Sequence, residues 1–168
     1  MQCVKVLLQS EKQTCLWART LASYLPQRMW IALIGPLGAG KTRIVQHLAA
    51  AAGIPPHAVT SPTFVLCQTY DSGLQRIIHV DAYRIGSHDE WWELGAAEWE
   101  EQSAWVLVEW ADRVLDCFPD DYLLLELEIA GPTERWVRLE AHGAQAAEVV
   151  ERMADWPISG RTDVVSTE

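Results

Sequence analysis

The sequence predicts an α/β fold in which a mostly parallel sheet carries helices on its faces and is extended by antiparallel strands at an edge. Apolar runs of strand length alternate with helical segments along most of the 168 residues, and this alternation is typical of parallel sheets covered by helices. Turn residues at 71–73 and at 131–132 each separate two strand-like runs. Those two pairs predict hairpins, which supply the antiparallel strands.

Short apolar runs bounded by turn residues predict the strands. The run Trp30-Ile31-Ala32-Leu33-Ile34 contains no charged side chain and stops at a glycine. The run before Glu109 is also fully apolar, which is typical of a strand that is buried on both faces. In chain order, the predicted strands cover residues 4–8, 30–34, 64–70, 74–80, 105–108, 122–129 and 136–141.

Capping signals and helix-breaking residues mark the helices. Ser10 and Ser87 each stand three residues before a Gln or Glu, as in a capping box. Pro26, Gly53 and Pro119 stop helical segments. The predicted helices cover residues 11–24, residues 42–52, a two-part segment after Ser87 that breaks near Gly95, residues 112–117 and residues 144–154.

Length and composition predict one domain over residues 1–154, followed by a polar, flexible tail over 155–168. No apolar run approaches the length of a membrane helix, and the N-terminus lacks the pattern of a signal peptide. The four cysteines have no C-x-x-C spacing, so we interpret them as reduced core thiols of a cytoplasmic protein. The net charge of −10 disfavours unaided tight binding to nucleic acid, but is compatible with a basic partner protein or a composite site.

The segment Gly35-Pro36-Leu37-Gly38-Ala39-Gly40-Lys41-Thr42 fits G-x-x-x-x-G-K-[ST], the Walker A phosphate loop. It stands between a predicted strand and a predicted helix, as this motif requires. Glycines let successive backbone N–H groups turn toward an anion, which also meets the positive N-terminus of the helix. Lys41 is expected to reach the β- and γ-phosphates, and Thr42 to offer its hydroxyl to Mg²⁺. The motif predicts a P-loop NTPase-like three-layer sandwich, with cofactor-binding residues Leu37, Gly38, Ala39, Gly40, Lys41 and Thr42.

Hydrolysis needs two further groups, an acid that completes the Mg²⁺ shell and a group that orients the attacking water. Two apolar strands end in acids, Glu109 and Asp81, and strand ends line the crevice of a parallel sheet. Glu109 is expected beside Thr42 as a metal ligand, because its strand should lie next to the phosphate-loop strand. Asp81 ends a hairpin strand and is expected to orient water. For each acid, the alternative is a solvated carboxylate at a strand end.

Thr63, in Ser61-Pro62-Thr63-Phe64, is a further catalytic candidate. A hydroxyl in a loop after the first βα unit can sense a γ-phosphate, as in switch loops. A simple Ser-Pro-Thr turn explains the same residues equally well.

The tryptophans indicate packing more than ligand binding. Trp110 could stack on a base or a partner, but a core position is the favoured interpretation. Trp91, Trp92 and Trp99 also indicate core packing. Because adjacent residues cannot share one helix face, Trp91 or Trp92 should be partly exposed, and an exposed tryptophan suggests a partner surface.

Five motifs in a fixed order resemble the bacterial TsaE ATPases, small P-loop proteins of tRNA threonylcarbamoyladenosine biosynthesis. They are G-x-L-G-A-G-K-T at 35–42, S-P-T-F at 61–64, H-x-D-x-Y-R at 79–84, L-G-x-x-E at 94–98 and V-E-W at 108–110. The resemblance extends over about residues 10–138. The phosphate loop alone is not specific to the family, but the five motifs together are.

The resemblance implies an ATPase that binds ATP or ADP with Mg²⁺ and hydrolyses ATP slowly when alone. It would act with a protein complex, a transferase subunit and its paralogous partner. That complex transfers threonylcarbamoyl to the adenosine next to the anticodon of tRNAs that read codons beginning with A. The chain would meet tRNA only indirectly, through the complex.

The resemblance also implies roles for individual residues. Thr42 and Glu109 correspond to the magnesium ligands of the family, and Asp81 to a residue tied to hydrolysis. Glu11 and Arg135 correspond to positions that touch the nucleotide. Three residues depart from the family pattern without removing a phosphate or metal ligand: Pro36 replaces an Asp or Asn, Arg43 a second Thr or Ser, and Ala111 a proline.

Three other functions compete with this interpretation. A small P-loop kinase would carry an arginine-rich lid, whereas the 13 basic residues form no arginine cluster. A GTPase-like switch would show N-K-x-D, and no such run exists. A nucleotide-binding scaffold without significant turnover stays open, because positioning rather than residue identity sets the rate.

Overall fold

The computed structural model describes residues 2–156. The strands of this region are β1 Cys3–Leu8, β2 Met29–Ile34, β3 Cys67–Asp71, β4 Arg76–Asp81, β5 Ala104–Glu109, β6 Tyr122–Ile129 and β7 Arg135–His142. The helices are α1 Glu11–Tyr24, α2 Lys41–Ala51, α3 His88–Glu93, α4 Ala96–Trp99 and α5 Ala144–Met153. Within the described residues, the strands form one sheet in the order β1-β7-β6-β2-β5-β4-β3.

The centre of the sheet is parallel and both of its edges are antiparallel. Strands β6, β2, β5 and β4 are neighbours and run in the same direction. Strand β3 pairs antiparallel with β4 at one edge, and β7 pairs antiparallel with β6 and with β1 toward the other. The predicted α/β class is confirmed. The two hairpins lie on opposite sides of the sheet rather than at one edge, because β2 and β5 are inserted between them.

Helices cover both faces of the sheet and make the molecule three layers thick. On one face, Trp17 of α1 and Ile44 of α2 belong to the same buried cluster as Leu33 of β2. On the other face, Trp91 of α3 belongs to the same cluster as Ala32. Since side chains alternate along a strand, β2 contributes to both layers, which explains its almost uninterrupted burial.

Aromatic side chains fill much of the second layer. The rings of Trp30, Trp91, Trp99 and Phe118 lie with centroids 5.1 to 6.3 Å apart. Trp91 is fully buried, whereas its neighbour Trp92 is 42% exposed. The expectation that one of the adjacent tryptophans reaches the surface is confirmed.

The segment after β5 differs from its predicted form. Residues 112–117 were expected to be one short helix, but they form two 3-10 turns, Ala111–Arg113 and Leu115–Cys117. Val114 between them has φ −137°, outside the helical region, so the i to i−4 hydrogen bonds of an α-helix cannot continue through it.

The strand expected to begin at Phe64 begins at Cys67 instead. Leu66 has φ +65°, and its N–H donates to the carbonyl of Pro62 at 2.6 Å. This closes a turn over residues 62–66 before pairing with β4 starts. Phe64 and Val65 are therefore exposed rather than part of the sheet.

None of the four cysteines forms a disulfide within the described residues, but only Cys117 is buried. The expectation of core thiols is wrong for Cys3 and Cys15, which are partly exposed. Cys67 is also partly exposed but packs against the second core layer. Cys3 and Cys67 begin the two edge strands, where no further strand covers them. Burial nevertheless raises the pKa of the Cys67 thiol to about 11.

No helix within residues 2–156 is long and apolar enough to cross a membrane. Residues 157–168, most of the predicted tail, lie outside the described residues. The division into a domain over 1–154 and a flexible tail stays a prediction.

Candidate active site

The phosphate-loop motif joins the end of β2 to the start of α2, as the sequence predicted. Gly40 is the N-cap of α2 and has φ +103°, a left-handed conformation that favours glycine. At Gly35, a Cβ atom would lie 2.5 Å from the carbonyl oxygen of Leu127 on β6. The Pro36 carbonyl stabilises the loop, because it accepts a hydrogen bond from the N–H of Ala39 at 3.1 Å. The loop thus curls tightly over the N-terminus of a helix of eleven residues.

Lys41 is buried beneath this loop, with 5% of its surface exposed. Its ammonium donates to the carbonyls of Gly35 at 2.6 Å and Pro36 at 3.0 Å. It also lies 3.7 Å from the centroid of the Trp110 ring. Burial lowers the pKa of Lys41, and the negative charges of Glu109, Asp81 and Asp112 oppose that effect. The nearby acids therefore partly offset the unfavourable effect of burial on the charged form of Lys41.

Thr42 and Glu109 contact each other directly. Strand β5 lies beside β2, with Leu33 paired to Glu109, so the acid projects next to the start of α2. The Thr42 hydroxyl lies 2.8 Å from Glu109 Oε1 and 2.9 Å from Oε2. The structure thus brings together the two residues predicted as metal ligands.

Asp81 and Thr63 form a second contact group. Asp81 is paired with Glu109 across β4 and β5. Its Oδ2 accepts from the hydroxyls of Ser61 at 3.0 Å and Thr63 at 2.9 Å. Its Oδ1 accepts from the N–H of Tyr83 at 3.0 Å. The Ser61-Pro62-Thr63 loop is therefore attached to the end of β4 through this carboxylate.

These groups line one cavity of about 520 Å³. Its aromatic wall consists of Tyr83 and Trp110, whose ring centroids are 5.0 Å apart. Trp110 has φ +56°, which turns the chain at the end of β5 and directs the half-buried indole toward the phosphate loop. Trp110 both packs against the second core layer and lines the cavity, so the favoured expectation of a core position is confirmed only in part. The predicted residues that line this cavity are Leu37, Gly38, Gly40, Lys41, Thr42, Thr63, Asp81 and Glu109.

Glu11 and Arg135 line a second cavity of about 230 Å³, together with Ala39 and Gly40. The Arg135 guanidinium donates to the carbonyls of Ala39 at 2.9 Å and Gly38 at 3.2 Å. It therefore braces the phosphate loop from the late hairpin. Gly40 and Arg43 line both cavities, so the two cavities meet at the start of α2.

Glu11 is engaged by two residues of α2. Its Oε1 lies 2.8 Å from Arg43 Nε and 2.9 Å from His47 Nε2. Arg43 is one of the three departures from the family pattern, and its charge is paired with the acid at the mouth of the second cavity. Such a contact between exposed side chains contributes little to stability. The Arg43 guanidinium also donates to Gln46 Oε1 at 3.1 Å.

The oxygen groups near Thr42 suit Mg²⁺ rather than a metal that needs a complete protein shell. Hydroxyl and carboxylate oxygens are hard ligands, and Mg²⁺ is commonly held by one or two protein groups plus substrate phosphates. Residues 2–156 contain no cluster of three or more His, Cys, Asp or Glu side chains that could hold a metal ion. The donor set formed by Thr42 and Glu109 fits a cation that shares its ligands with a nucleotide.

Four residues of the site were not assigned a role from the sequence. Ser61 stands in the same short motif as Thr63, and Tyr83 in the same motif as Asp81, so the motifs already contained their positions. Arg43 directly follows the phosphate loop. His79 contacts Glu109 through Nε2 at 2.8 Å. No local pattern predicts that contact, because it joins two strands.

Comparisons with known sequences return one protein family. A family model described as "Threonylcarbamoyl adenosine biosynthesis protein TsaE" matches residues 8–137. The "tRNA threonylcarbamoyladenosine biosynthesis protein TsaE" of Aquifex aeolicus is 36% identical over 136 residues, which are 80% of this chain and 94% of that protein. The protein of the same name from Bacillus subtilis is 31% identical over 137 residues, 82% of this chain and 85% of that protein.

The fold also matches a solved structure. The crystal structure of YdiB from Bacillus subtilis superimposes with a TM-score of 0.76 at 26% sequence identity. The match covers 92% of this chain and 96% of that one. The likeness therefore includes the antiparallel edges as well as the parallel centre.

Proposed function

The chain belongs to the TsaE family of tRNA threonylcarbamoyladenosine biosynthesis proteins, and we propose that in this process it binds ATP with Mg²⁺ and hydrolyses it. The ATPase supports a partner complex, a transferase subunit and its paralogous partner. That complex adds threonylcarbamoyl to the adenosine next to the anticodon of tRNAs reading codons that begin with A.

One observation carries the proposal: the phosphate loop and both acids converge on the same cavity. Lys41, Thr42, Glu109, Asp81 and Thr63 come from four separate segments and all line it. A phosphate loop on its own explains anion binding only, whereas two carboxylates and the Thr63 hydroxyl beside it meet the needs of phosphoryl transfer to water.

The phosphates of ATP are bound by backbone N–H groups of residues 37–42 and by the Lys41 ammonium. On binding, the ammonium exchanges its contacts with the Gly35 and Pro36 carbonyls for phosphate oxygens. Thr42 and Glu109 would hold Mg²⁺, which would supply positive charge to stabilise the phosphate groups.

Asp81 and Thr63 act on the γ-phosphate side of the cavity. The Asp81 carboxylate accepts a hydrogen bond from the attacking water and thereby orients it. Its hydrogen bonds to Ser61 and Thr63 link that carboxylate to a loop whose hydroxyl can contact the γ-phosphate. Loss of the γ-phosphate then changes the contacts of the loop that a partner meets.

The nucleoside occupies the cavity lined by Glu11 and Arg135. This cavity adjoins the phosphate loop at Gly40. A nucleotide whose phosphates lie on the loop must therefore place its ribose and base there. Arg135 holds the loop carbonyls in place, and the Glu11 carboxylate, which Arg43 and His47 contact through Oε1, accepts from ribose hydroxyls through its other oxygen. The absence of an N-K-x-D run in the sequence favours ATP and ADP over GTP.

The protein reaches tRNA through its partners. With 23 acidic and 13 basic residues, it repels a phosphate backbone. The partially exposed Trp92 and the exposed Phe64 offer apolar contact area for a protein partner. We place the protein in the cytoplasm, where the tRNA substrate and the partner complex meet.

Calorimetric nucleotide titration and steady-state hydrolysis test the proposal. The wild-type chain should bind ATP and ADP more tightly than GTP and should turn over ATP slowly. Lys41→Ala should lower hydrolysis by about 100-fold or more, because it removes the charge that stabilises the transferring phosphoryl group. Lys12→Ala, at an exposed position on α1, is the matched control and should change neither quantity.

Equal or tighter GTP affinity would overturn the preference for adenine nucleotides. Unchanged hydrolysis in the folded Lys41→Ala variant would show that this loop is not the catalytic phosphate site. Tight ATP binding without any turnover, alone or with the partners, would identify the chain as a nucleotide-binding scaffold.

A further inference from the structure

A histidine lies directly behind the residues proposed to hold Mg²⁺. His79 stands in the middle of β4 and is fully buried. Along β4, His79 alternates with Ile78 and Val80, which face the second layer, so its side chain points to the face that carries α2. It therefore lies on the same side of the sheet as the phosphate loop, two residue pairs before the pair formed by Asp81 and Glu109.

Only one ring nitrogen of His79 has a hydrogen-bond partner among the described residues, and that partner is Glu109. Nε2 lies 2.8 Å from Glu109 Oε1. An ionised carboxylate can only accept, so Nε2 bears the hydrogen and donates it. The other nitrogen, Nδ1, is buried and has no hydrogen-bond partner among residues 2–156.

A buried imidazole with an unpartnered nitrogen destabilises a fold relative to an apolar side chain of similar size. On the face to which His79 points, Ile77 of β4 and Leu107 of β5, which is paired with His79, belong to the buried cluster, so the local environment would accept such a side chain. Among residues 2–156, the hydrogen bond to Glu109 is the one interaction of His79 that an aliphatic residue cannot supply.

That hydrogen bond engages only one oxygen of the carboxylate. Oε1 accepts from both His79 and Thr42, whereas Oε2 accepts from Thr42 alone. When Thr42 turns its hydroxyl to a cation, His79 is the remaining side chain that keeps Glu109 in place. Carboxylates that bind metals are commonly oriented by such outer hydrogen bonds.

We propose that His79 is a positioning residue that fixes the Glu109 carboxylate for a divalent cation. Through Glu109, it sets the dependence of nucleotide affinity on Mg²⁺. This inference rests on the proposed function. His79 itself contacts neither nucleotide nor cation.

Two substitutions of similar size separate the hydrogen bond from the volume of the side chain. His79→Gln keeps an N–H donor near the position of Nε2, and His79→Met removes it. ADP affinity is measured by calorimetry in EDTA and over a series of Mg²⁺ concentrations, at a temperature well below unfolding. In His79→Met, the Mg²⁺ concentration that gives half of the increase in affinity should rise about 10- to 100-fold.

His79→Gln should stay close to the wild-type value, and ADP affinity in EDTA should be alike in all three proteins. His142→Met is the control, because His142 also faces a carboxylate, Glu140 at 3.0 Å, but lies on β7 outside the nucleotide cavities. It should leave the Mg²⁺ dependence unchanged.

Unchanged Mg²⁺ dependence in His79→Met would overturn the inference, and so would equal shifts in the Gln and Met variants. If wild-type ADP affinity does not respond to Mg²⁺ at all, the magnesium part of the proposed function fails and this inference fails with it. Should His79→Met not fold, side-chain ¹H–¹⁵N spectra of the wild-type protein decide. They should show His79 with hydrogen on Nε2 and a shifted resonance on addition of Mg²⁺ and ADP, and an Nδ1–H form or an unmoved resonance would contradict the inference.

Discussion

At the scale of single residues, the two acids of the site are neighbours with different contacts. Glu109 is hydrogen-bonded to Thr42 and His79, which places it at the start of α2. The Asp81 carboxylate accepts hydrogen bonds from the hydroxyls of the 61–63 loop and from the backbone N–H of Tyr83. These partners support a metal role for Glu109 and a water-orienting role for Asp81.

Glu109→Gln and Asp81→Asn test this division while keeping the shape of each side chain. Glu109→Gln should weaken Mg²⁺-dependent nucleotide binding by about tenfold or more, since it removes the charge that a cation needs. Asp81→Asn should preserve binding and lower the maximal hydrolysis rate by about 100-fold or more, because its contribution arises in the transition state. Both variants are titrated with ADP and with a non-hydrolysable ATP analogue, with and without Mg²⁺. If the Mg²⁺ dependence disappears with Asp81→Asn and persists with Glu109→Gln, the two roles are reversed.

At the scale of secondary-structure elements, α5 is held by a residue that is distant in sequence. Its N-cap is Gly143, which has no side chain to cap the helix. Asp121 supplies the cap instead, because its two oxygens accept from the N–H groups of Gln145 and Ala146, each at 2.9 Å. Asp121 precedes β6, which runs parallel to β2, so this cap lies at the end of the sheet away from the phosphate loop.

Asp121→Ala should lower the free energy of unfolding by about 1 kcal/mol, the usual contribution of a helix cap. In a protein of this length that corresponds to a fall in Tm of roughly 2–4 °C. Thermal and urea unfolding measure the change, and the exposed neighbour Asp120→Ala is the matched control. ADP affinity should be the same in both variants. A large loss of ADP affinity in Asp121→Ala would mean that α5 affects the site, contrary to this assignment.

At the scale of the whole molecule, charge determines which macromolecule the protein can meet directly. The net charge of −10 opposes the counterion release that drives nucleic-acid binding. Trp92, by contrast, exposes a large apolar ring on the layer opposite α2. The surface therefore favours a protein partner over a bare tRNA.

The isolated protein should not form a tight tRNA complex at about 0.15 M salt. The transferase subunit and its paralogous partner should raise ATP turnover and reduce the quenching of tryptophan fluorescence by a soluble quencher. Filter binding, steady-state hydrolysis and quenching measure the three effects. A salt-resistant tRNA complex without partners would contradict this view. Partners that change neither turnover nor quenching would contradict it as well.

Short-range patterns in the sequence determined most elements and the position of the phosphate loop. Both predicted capping serines accept hydrogen bonds from the expected N–H groups. The Ser10 hydroxyl accepts from Gln13, and the Ser87 hydroxyl accepts from Glu90. The two acid-ended strands were also evident, because apolar runs and their final residues can be identified within a window of a few positions. Such signals suffice for bonds that close within one turn of a helix or at one strand end.

The sequence predicted the Glu109 strand beside the phosphate-loop strand, but only the tertiary structure decided which of the other segments became neighbours. It placed β2 and β5 between the two hairpins, added β1 outside the second hairpin, and turned Trp110 toward the cavity through one left-handed residue. It also joined His79 to Glu109 and Glu11 to Arg43. Strand order and side-chain contacts between strands depend on the packing of distant segments into two core layers. No local periodicity specifies that packing, so the amino-acid sequence by itself determined the chemical groups of the site and the fold determined their partners.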